Sequence, residues 1–430
     1  MCGIAGFLNP RNNDKKTEKE IYQILKKMNE VQRHRGPDDE GIFLENGCAL
    51  GHVRLSILDL YRGHQPMCKK KEGNTYAIIL NGEIYNMKTL KEQLIKEGEM
   101  FSTTSDTEVV LTGYIRYGIS YIEELNGIFS IALWDGKRKK LYLIRDRVGV
   151  KPLFYTKRGD TLIFASEIKG LFAYPGVKPV INREGLCEIF GLGPAKSYGK
   201  GVFKDIYEVL PGHFLEYDRD GLKDHAYWEL KAKEHTDSEK DTIEHTRWLV
   251  KDAVEMQMLS DIPISTFLSG GVDSSLVTAI CAKKLQKEGK NLNTFSFDFV
   301  NNHKYFKSNA FQPSEDRPWV DKMVDHAKTD HRYLECDNEN MIENLYKAVD
   351  ARDLPCMADV ESSMLYFCSK VVKYNKVTLT GECADEIFGG YPWFHKEECF
   401  KAEIFPWSMD MQPRKMLLND DIIQKVDLES

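Results

Sequence analysis

The sequence has no long apolar run, no excess of basic residues and no C-x-x-C pair. A membrane-spanning helix needs about 20 consecutive apolar residues, and the first residues lack the charged-then-apolar pattern of a signal peptide. We therefore predict a cytoplasmic protein without a membrane partner. The net charge of −7 leaves no basic surplus to neutralise phosphates, which argues against binding to nucleic acid. The 10 cysteines are scattered, so they indicate neither a zinc site nor a secreted disulfide framework.

The glycine-rich stretch Phe267–Ser275 (FLSGGVDSS) has no lysine after its glycines, so it is not the phosphate loop of an ordinary nucleoside-triphosphate hydrolase. It lies between a β-leaning apolar run and a helical pattern, where adjacent glycines and helix amide groups favour an anion such as phosphate. Asp273 is then placed to bind a metal ion. A plain strand-to-helix turn is the alternative, and the hydroxyls of Ser269, Ser274 and Ser275 favour the phosphate site.

The length of 430 residues exceeds the size at which one hydrophobic core keeps growing, so we predict two domains. The stretch Lys231–Asp241 is dense in charge and nearly free of large apolar residues, which is typical of a solvated linker. We therefore place one domain at residues 1–205, a connecting segment and linker at 206–241, and a second domain at 242–430. Strands that alternate with helices in the second domain predict an α/β fold with a parallel sheet.

Cys2 becomes the first residue if the initiator methionine is removed, and its thiol then lies beside its own α-amino group. Such an amine has an ordinary pKa of about 7.7–8.0 and can act as the base for the thiol near neutral pH. The pattern is that of an amino-terminal nucleophile. An incidental cysteine is the alternative, and the sequence leaves the removal of Met1 open.

Other polar positions of the first half admit both a functional and a structural interpretation. Arg54, in a strand-like alternation, either grips a carboxylate through two hydrogen bonds or is an ordinary surface arginine. Asn81 and Gly82 follow an apolar strand and supply either two donors for an oxyanion or an Asn-Gly hairpin turn. Asp106 either contacts a ligand or, with Ser105, caps the following helix.

These motifs occur together and in a fixed order: CGI at 2–4, RHRGPD at 33–38, RLSI at 54–57, NGE at 81–83 and SDTE at 105–108. In this combination the first half resembles a class II glutamine amidotransferase domain. The resemblance implies a four-layer αββα sandwich of the amino-terminal-nucleophile type. It also implies that Cys2 attacks the side-chain carbonyl of glutamine and releases ammonia.

The same resemblance assigns roles to the other motif residues. Asn81 and the Gly82 amide would hold the oxyanion, and the glutamine pocket would consist of Arg54, Leu55, Ser56, Ile57, Leu58, Asn81, Gly82, Glu83 and Asp106. Within this pocket Arg54 would bind the α-carboxylate, while the two carboxylates would bind the α-amino group. The charged segments 145–153 (RDRVGVKPL) and 165–169 (ASEIK) also match the family. From the residues alone we expect their charges to form a buried or interfacial ion network rather than to act in catalysis.

The segment Thr380–Tyr391 (TGECADEIFGGY) follows an apolar strand and places three carboxylates beside glycines. Carboxylates this close repel one another unless they bind a cation or a substrate. Mg²⁺ held through one or two carboxylates and substrate phosphates is the usual arrangement. A solvated acidic loop is the alternative.

Together, the glycine-rich stretch and this acidic segment resemble the asparagine synthetases, which belong to the adenylating pyrophosphatase-loop family. The resemblance implies that ATP is cleaved to AMP and pyrophosphate, with Asp273 and Asp385 holding Mg²⁺. Glu382 would act in forming and using the aspartyl-adenylate. The implied ATP site consists of Phe267, Leu268, Ser269, Gly270, Gly271, Asp273, Ser274, Phe297, Thr380 and Gly381.

The two resemblances predict glutamine-dependent asparagine synthesis, in which ammonia attacks β-aspartyl-AMP. Glutamine, aspartate and ATP are the expected small-molecule partners, and a homodimer is one candidate for the oligomeric state. Family members usually continue well beyond the Gly-Gly-Tyr motif, so we expect a second domain that is incomplete at its C-terminal end. Two alternatives stay open: an amidotransferase that adenylates a different carboxylate, and a truncated remnant with only glutaminase or binding activity.

Overall fold

The computed structural model describes residues 1–11, 16–309, 312–424 and 426. Within these residues the chain divides into two compact units, Met1–Lys233 and Glu234–Ile423, and each unit is described by itself. No helix in the described part of the chain is both long and apolar enough to cross a membrane.

The strands of the first unit all pair with antiparallel neighbours. They are β1 (Gly3–Leu8), β2 (Asp39–Glu45), β3 (Cys48–Arg54), β4 (Met67–Lys71), β5 (Asn74–Ile84), β6 (Gly127–Asp135), β7 (Lys140–Arg145), β8 (Phe154–Arg158), β9 (Thr161–Ala165), β10 (Tyr207–Glu208), β11 (His213–Asp218) and β12 (Gly221–Ala226). Among the described residues they form two sheets, with the orders β10-β8-β9-β1-β3-β2 and β12-β11-β7-β6-β5-β4.

Apolar side chains from the two sheets form one shared core. Leu50 and Phe164 come from the first sheet, and Ile79, Trp134 and Leu215 come from the second. These side chains are fully or almost fully buried. Because successive residues of a strand point to opposite faces, one face of each sheet can be apolar while the other receives helices.

Helices cover the outer faces of both sheets. They are α1 (Glu18–Glu30), α2 (Met87–Lys96), α3 (Asp106–Tyr117), α4 (Ile168–Phe172) and α5 (Arg183–Cys187). A capping box between Thr17 and Glu20 starts α1. This helix packs against β1 and β3, whereas α3 packs against β4 and β5. The layers therefore follow the order helix, sheet, sheet, helix, which confirms the predicted αββα sandwich.

The predicted connecting segment, 206–241, contains two strands in the structure. Its residues 213–226 form β11 and β12, and β11 pairs with β7 through Leu215 opposite Leu143. Leu215 and Tyr217 reach the shared core, which joins these strands to the first unit. The exposed coil between the last strand of this unit and the next helix is shorter than the predicted segment.

The second unit contains a parallel sheet with helices. Its strands are β13 (Ile264–Phe267), β14 (Asn293–Phe299), β15 (Asp330–Cys336) and β16 (Val377–Leu379), in the order β15-β14-β13-β16 among the described residues. Its helices are α6 (Glu239–Gln257), α7 (Val272–Lys287), α8 (Asn302–Tyr305), α9 (Arg317–Ala327), α10 (Asn338–Arg352), α11 (Ala358–Val371), α12 (Ala384–Phe388), α13 (Glu397–Lys401), α14 (Gln412–Lys415) and α15 (Asp420–Ile423). All pairings in the sheet are parallel, which confirms the predicted fold class.

The strand order of this sheet reverses at β13. The chain adds β14 and β15 on one side of β13 and then returns to add β16 on the other side. In open parallel sheets the crevice at such a reversal, outside the carboxyl ends of the strands, is where ligands bind. The topology therefore predicts a ligand site among the residues that follow β13, β14 and β16.

Phe164 provides a test of the sandwich core. It is fully buried, and a Cβ built on Gly6 would lie 2.6 Å from its ring atom Cζ, so the ring packs directly on β1. We expect Phe164→Ala to lower the free energy of unfolding of the first unit by about 3–5 kcal/mol because it leaves a cavity. Urea unfolding followed by circular dichroism measures the change. Tyr61→Ala is the matched control, since Tyr61 is 94% exposed and should change stability by less than about 0.5 kcal/mol. Equal effects of the two substitutions would contradict this description of the core.

Candidate active sites

Cys2 lies directly before β1, the strand that pairs with β3 on one side and β9 on the other. Its Sγ accepts a hydrogen bond from the backbone N–H of Leu55, at 3.4 Å. Its carbonyl oxygen accepts a hydrogen bond from Nε of Arg35, at 2.9 Å. The backbone and the thiol of Cys2 are therefore both held by groups far away in the sequence.

The thiol and the amino terminus have shifted proton affinities. Burial raises the pKa of the Cys2 thiol, although the hydrogen bond from Leu55 opposes the shift. Burial also lowers the pKa of the Met1 amino group to about 6. With a pKa of about 6 the Met1 amine is mostly neutral at pH 7, whereas the Cys2 thiol needs a base to become a thiolate.

Arg35 belongs to an ion network centred on Glu167. The carboxylate of Glu167 is 2.9 Å from Nη1 of Arg35, and it also pairs with His34 and Lys169, each at 3.0 Å. Although burial works against it, the hydrogen bond from His34 and the charge of Arg35 lower the pKa of Glu167 to about 2. Segment 165–169 therefore fixes the arginine that holds the carbonyl of Cys2.

Arg54 is buried at the end of β3, so it is not an ordinary surface arginine. Its Nη2 donates to the carbonyl oxygens of Leu58, at 2.8 Å, and Asp59, at 2.7 Å. The guanidinium thus orders the backbone that follows β3. Ser56 in the same stretch donates its N–H to Asp38 at 2.9 Å. Residues 55–58, which include Ile57, form a half-buried segment next to Cys2.

Asn81 and Gly82 lie inside β5, opposite Ser130 and Phe129 of β6. They do not form a hairpin turn. Gly82 has a φ of 150°, and a Cβ there would lie 2.0 Å from the carbonyl oxygen of Ile128, so only glycine fits. Nδ2 of the buried Asn81 is 3.4 Å from Oγ of Ser130, and its Oδ1 has no hydrogen-bond partner among the described residues.

Glu83 and Asp106 are two carboxylates in neighbouring positions. Burial, together with the charge of Asp106, raises the pKa of Glu83 to about 7. Burial also raises the pKa of Asp106, although its carboxylate accepts hydrogen bonds from the N–H groups of Ile84, at 3.0 Å, and Thr107, at 2.7 Å. Ser105 caps α3 through Thr107. Asp106 therefore stands at the first position of the helix with its carboxylate tied to β5.

In the second unit, the glycine-rich stretch forms the turn between β13 and α7. Oγ of Ser274 lies 3.0 Å from Oγ of Ser269 and 3.1 Å from its backbone nitrogen. Gly270 has a φ of 82°, and a Cβ there would lie 2.8 Å from Cβ of Trp319. Gly271 is the residue directly before α7. The glycines thus allow a tight turn that leads into the amino end of a helix of 16 residues.

The segment after β16 lies against this turn. A Cβ on Gly381 would come within 2.7 Å of the backbone nitrogen of Ser274, so the two segments touch through their backbones. Between them and the end of β14 is a cleft of about 710 Å³. Its lining includes Phe267, Leu268, Ser269, Gly271, Asp273, Ser274, Phe297, Thr380, Gly381, Glu382 and Asp385. Gly270 is outside the lining, and its role is to bring the turn close to α9.

Asp273 and Asp385 face the same cleft from the two segments. Burial raises the pKa of Asp273, and the negative charge of Asp385 raises it further. Two carboxylates that repel each other in this way suit a divalent cation. The described residues contain no group of three or more His, Cys, Asp and Glu side chains that could hold a metal ion. Mg²⁺ is usually held by one or two carboxylates together with phosphate oxygens.

The structure also adds cations that the motif analysis did not place at a site. Arg317, at the start of α9, lines the cleft, and its guanidinium stacks 4.2 Å from the ring centroid of Tyr333. Lys151 is buried in the first unit, with Nζ 2.9 Å from Sδ of Met1. No local pattern marks Arg317, whereas Lys151 falls inside the charged segment 145–153 that the sequence had singled out.

Family models match both units. Residues 1–228 match a glutamine amidotransferase domain, and residues 245–430 match asparagine synthase. Asparagine synthetase [glutamine-hydrolyzing] 3 of Bacillus subtilis is 45% identical over the whole chain, which spans 69% of that relative. Asparagine synthetase [glutamine-hydrolyzing] 2 of the same organism is 35% identical over 91% of the chain and 52% of its own length. The amidase chyE of Penicillium rubens is 31% identical over 92% of the chain and 60% of its own length.

These matches cover both units. The chain belongs to the glutamine-hydrolysing asparagine synthetase family.

Proposed function

We propose that this protein makes asparagine from aspartate, with glutamine as the nitrogen source and ATP as the activating co-substrate. Glutamine and water give glutamate and ammonia in the first unit. Aspartate and ATP give β-aspartyl-AMP and pyrophosphate in the second unit, and ammonia then displaces AMP. The observation that carries the proposal is that one chain holds both a cysteine fixed at its amino terminus and a cleft with opposed carboxylates after a double-glycine turn.

Glutamine hydrolysis is assigned to Cys2. After removal of Met1 its own α-amine would accept the proton of Sγ, and the thiolate would attack the side-chain carbonyl of glutamine. Burial raises the pKa of this thiol, so a base is needed to form the thiolate. The C–N bond of the side-chain amide then breaks, and ammonia leaves with the proton that the amine had accepted. Water cleaves the resulting thioester, which restores the thiol and releases glutamate.

The oxyanion of each tetrahedral intermediate is assigned to Asn81 and the N–H of Gly82. If the side-chain amide of Asn81 is flipped, Nδ2 and Oδ1 exchange places. Oγ of Ser130 then donates to Oδ1, and Nδ2 occupies the position where Oδ1 has no hydrogen-bond partner. That donor is buried, where a hydrogen bond to developing charge is stronger than in water. Arg54 with residues 55–58 is assigned to the α-carboxylate, and Glu83 with Asp106 is assigned to the α-ammonium group.

Adenylation is assigned to the cleft of the second unit. The amide groups of the Ser269–Ser274 turn and the amino end of α7 would hold the pyrophosphate, and the adenosine would lie near Phe267 and Phe297. Asp273 and Asp385 would hold Mg²⁺, which neutralises phosphate charge when bound. Glu382, in the cleft beside Thr380, is assigned to the formation and use of the adenylate.

Domain boundaries at 205/206 and 241/242, a homodimer and a cytoplasmic location stay predictions from the sequence. None of them affects the assignment of the chemistry to the two units. The alternative of a different carboxylate acceptor is distinguished by the substrate that supports exchange of pyrophosphate into ATP.

Replacing the nucleophile tests the first assignment. We expect Cys2→Ala to abolish asparagine synthesis from glutamine, because no thioester can form, and to leave synthesis from added ammonia within about 2-fold of the parent chain. Asparagine is measured after incubation with ATP, Mg²⁺ and aspartate, with either nitrogen source. Cys68→Ala, which changes an exposed cysteine of the same unit, is the matched control. Equal loss with both nitrogen sources would contradict the division of chemistry between the units.

Replacing a metal ligand tests the second assignment. We expect Asp273→Asn or Asp385→Asn to lower aspartate-dependent pyrophosphate release more than about 10-fold, since even groups that only support metal ligands contribute 10–100-fold. Glutamine hydrolysis should persist in both variants. The control Asp325→Asn removes an exposed carboxylate of the same unit. Unchanged release in either cleft variant, across a Mg²⁺ titration, would argue against the assigned site.

A further inference from the structure

Gln65 is a buried amide between β3 and β4 to which the chemistry described above gives no role. Its Oε1 accepts a hydrogen bond from the backbone N–H of Leu80, at 2.6 Å, and its Nε2 donates to Oγ1 of Thr107, at 3.2 Å. Leu80 directly precedes Asn81. Thr107 directly follows Asp106. One side chain therefore connects the strand of the assigned oxyanion donors with the start of α3.

The register of the second sheet explains why Gln65 reaches Leu80. Strand β4 pairs with β5 as far as Met67 opposite Ile78. The same register continued by two residues would place Gln65 opposite Leu80. Among the described residues the β4–β5 ladder stops before that point, so the side chain of Gln65 binds the N–H that a longer β4 would have bound.

The carbonyl group of Leu80 is held from the first sheet. Nε2 of His52, on β3, lies 3.2 Å from this oxygen. Burial lowers the pKa of His52 to about 3, so the ring is neutral at pH 7, and the nitrogen that faces a carbonyl oxygen is the one that donates. The backbone of Gln65 also packs on the first sheet, because a Cβ on Gly41 of β2 would lie 2.1 Å from its carbonyl oxygen. Both backbone groups of Leu80 are therefore fixed.

The N–H groups of Leu80, Gly82 and Ile84 face one edge of β5, since alternate residues of a strand direct their backbone groups to the same side. Gln65 binds the first of these N–H groups. Asp106 binds the third, with Oδ2 at 3.0 Å from the nitrogen of Ile84. The N–H of Gly82, which is assigned to the oxyanion, lies between these two anchored positions.

Further hydrogen bonds connect the two anchors to each other. Oγ1 of Thr107, which accepts from Gln65, lies 3.4 Å from Oδ1 of Asp106. The backbone N–H of Thr107 donates to the same oxygen, at 2.7 Å. A closed ring of contacts thus surrounds the edge of β5, and its members in order are Leu80, Gln65, Thr107, Asp106 and Ile84. Within this ring the carboxylate of Asp106 and the strand cannot move independently.

We propose that Gln65 is a positioning residue of the glutaminase site, which holds the Gly82 N–H and the Asp106 carboxylate at the spacing that one glutamine molecule requires. This inference rests on the proposed role of Cys2. The oxyanion and the α-ammonium group belong to the same substrate, so the protein groups that meet them must keep a fixed separation. A misplacement of about 1 Å can cost about 100-fold in rate. Gln65 would act without contacting glutamine itself.

The kinetics of glutamine hydrolysis test the inference on the full chain with Met1 removed. Gln65→Met keeps the length of the side chain and removes both hydrogen bonds. We expect kcat to fall about 10-fold or more, because the Gly82 N–H acts on charge that develops in the transition state. We also expect KM to rise several-fold, because Asp106 loses a support. Thr107→Val removes the hydroxyl between Gln65 and Asp106, so KM should rise while kcat stays within ~3-fold of the parent chain.

Two further variants show whether the hydrogen bonds of Gln65 are responsible. If Gln65 and Thr107 act as one unit, the double variant should have the same KM as Gln65→Met alone, since members of one hydrogen-bond network are not additive. Gln65→Glu provides the rescue. Its protonated carboxyl group offers an acceptor and a donor in the places of the amide, so its kcat relative to that of the parent chain should increase as the pH is lowered.

Thr156→Val is the matched control. Thr156 is a fully buried residue of β8 in the same unit, and its Oγ1 donates to the carbonyl oxygen of Asp205, at 2.6 Å. Its replacement removes a buried hydrogen bond between distant segments, so stability should fall while kcat and KM for glutamine stay unchanged. Urea unfolding followed by circular dichroism is measured for every variant. If Gln65→Met fails to fold, Thr107→Val and Gln65→Glu provide the test.

The outcomes are distinct. A lower kcat with a raised KM in Gln65→Met, and a raised KM alone in Thr107→Val, support the inference. Unchanged constants in Gln65→Met, an additive double variant, or a loss of kcat that Thr156→Val shares would overturn it, because the effect would then be absent or would report stability alone. Cys2→Ala is assayed alongside. If that variant still hydrolyses glutamine, the nucleophile assignment fails, whereas unchanged constants in Gln65→Met with an inactive Cys2→Ala remove only the role of Gln65.

Discussion

The pairing of β1 with strands on both of its sides fixes the amino terminus of this protein, and the geometry of the first unit depends on it. All six residues of β1 are buried. Each end of the strand is therefore held by a ladder of hydrogen bonds and by the shared core. A residue directly before such a strand has little freedom, and Arg35 removes more of it by binding the carbonyl of Cys2. Cys2 is thus positioned by sheet formation rather than by a loop.

The second unit relies on a different constraint, the close approach of two backbone segments. Gly381 touches Ser274 so closely that a Cβ would not fit, and this contact brings Asp385 towards Asp273. The sheet topology determines which segments meet, because β16 returns to the side of β13 opposite β14. The repulsion between the two carboxylates is then a property of the fold itself. It persists until a cation or a proton relieves it.

Strong local patterns predicted the elements that carry the cleft. Strand β13 precedes the two glycines of the glycine-rich stretch and α7 follows them, as the apolar and helical patterns indicated. Strands β11 and β12 fall in the predicted connecting segment because polar residues dominate them, although Leu215 and Tyr217 belong to the core and Leu222 packs against it. From the sequence, Asn81 and Gly82 had two interpretations, a hairpin turn and an oxyanion site. Sheet pairing, which is not local, excluded the turn.

One physical reason explains why the motifs did not identify Lys151 and Arg317. Lys151 acquires its surroundings from Met1, which is 150 positions away, and Arg317 stacks on Tyr333 of β15, the strand that follows its own helix. A lone basic residue has no periodicity to mark it, so its burial becomes known only from the tertiary structure. The motifs predict which reactive groups are present. The charged groups around them become known only from the tertiary structure.

The contact between Met1 and Lys151 has a consequence for how this protein matures. While the initiator residue is present, its thioether fills the space beside the buried ammonium, and the amine next to Cys2 is engaged in a peptide bond. Under the proposed role of Cys2, the newly made chain is a precursor that cannot hydrolyse glutamine until Met1 is removed. Any extension fused to the amino terminus would keep the protein in that precursor state, even with every side chain of the site intact.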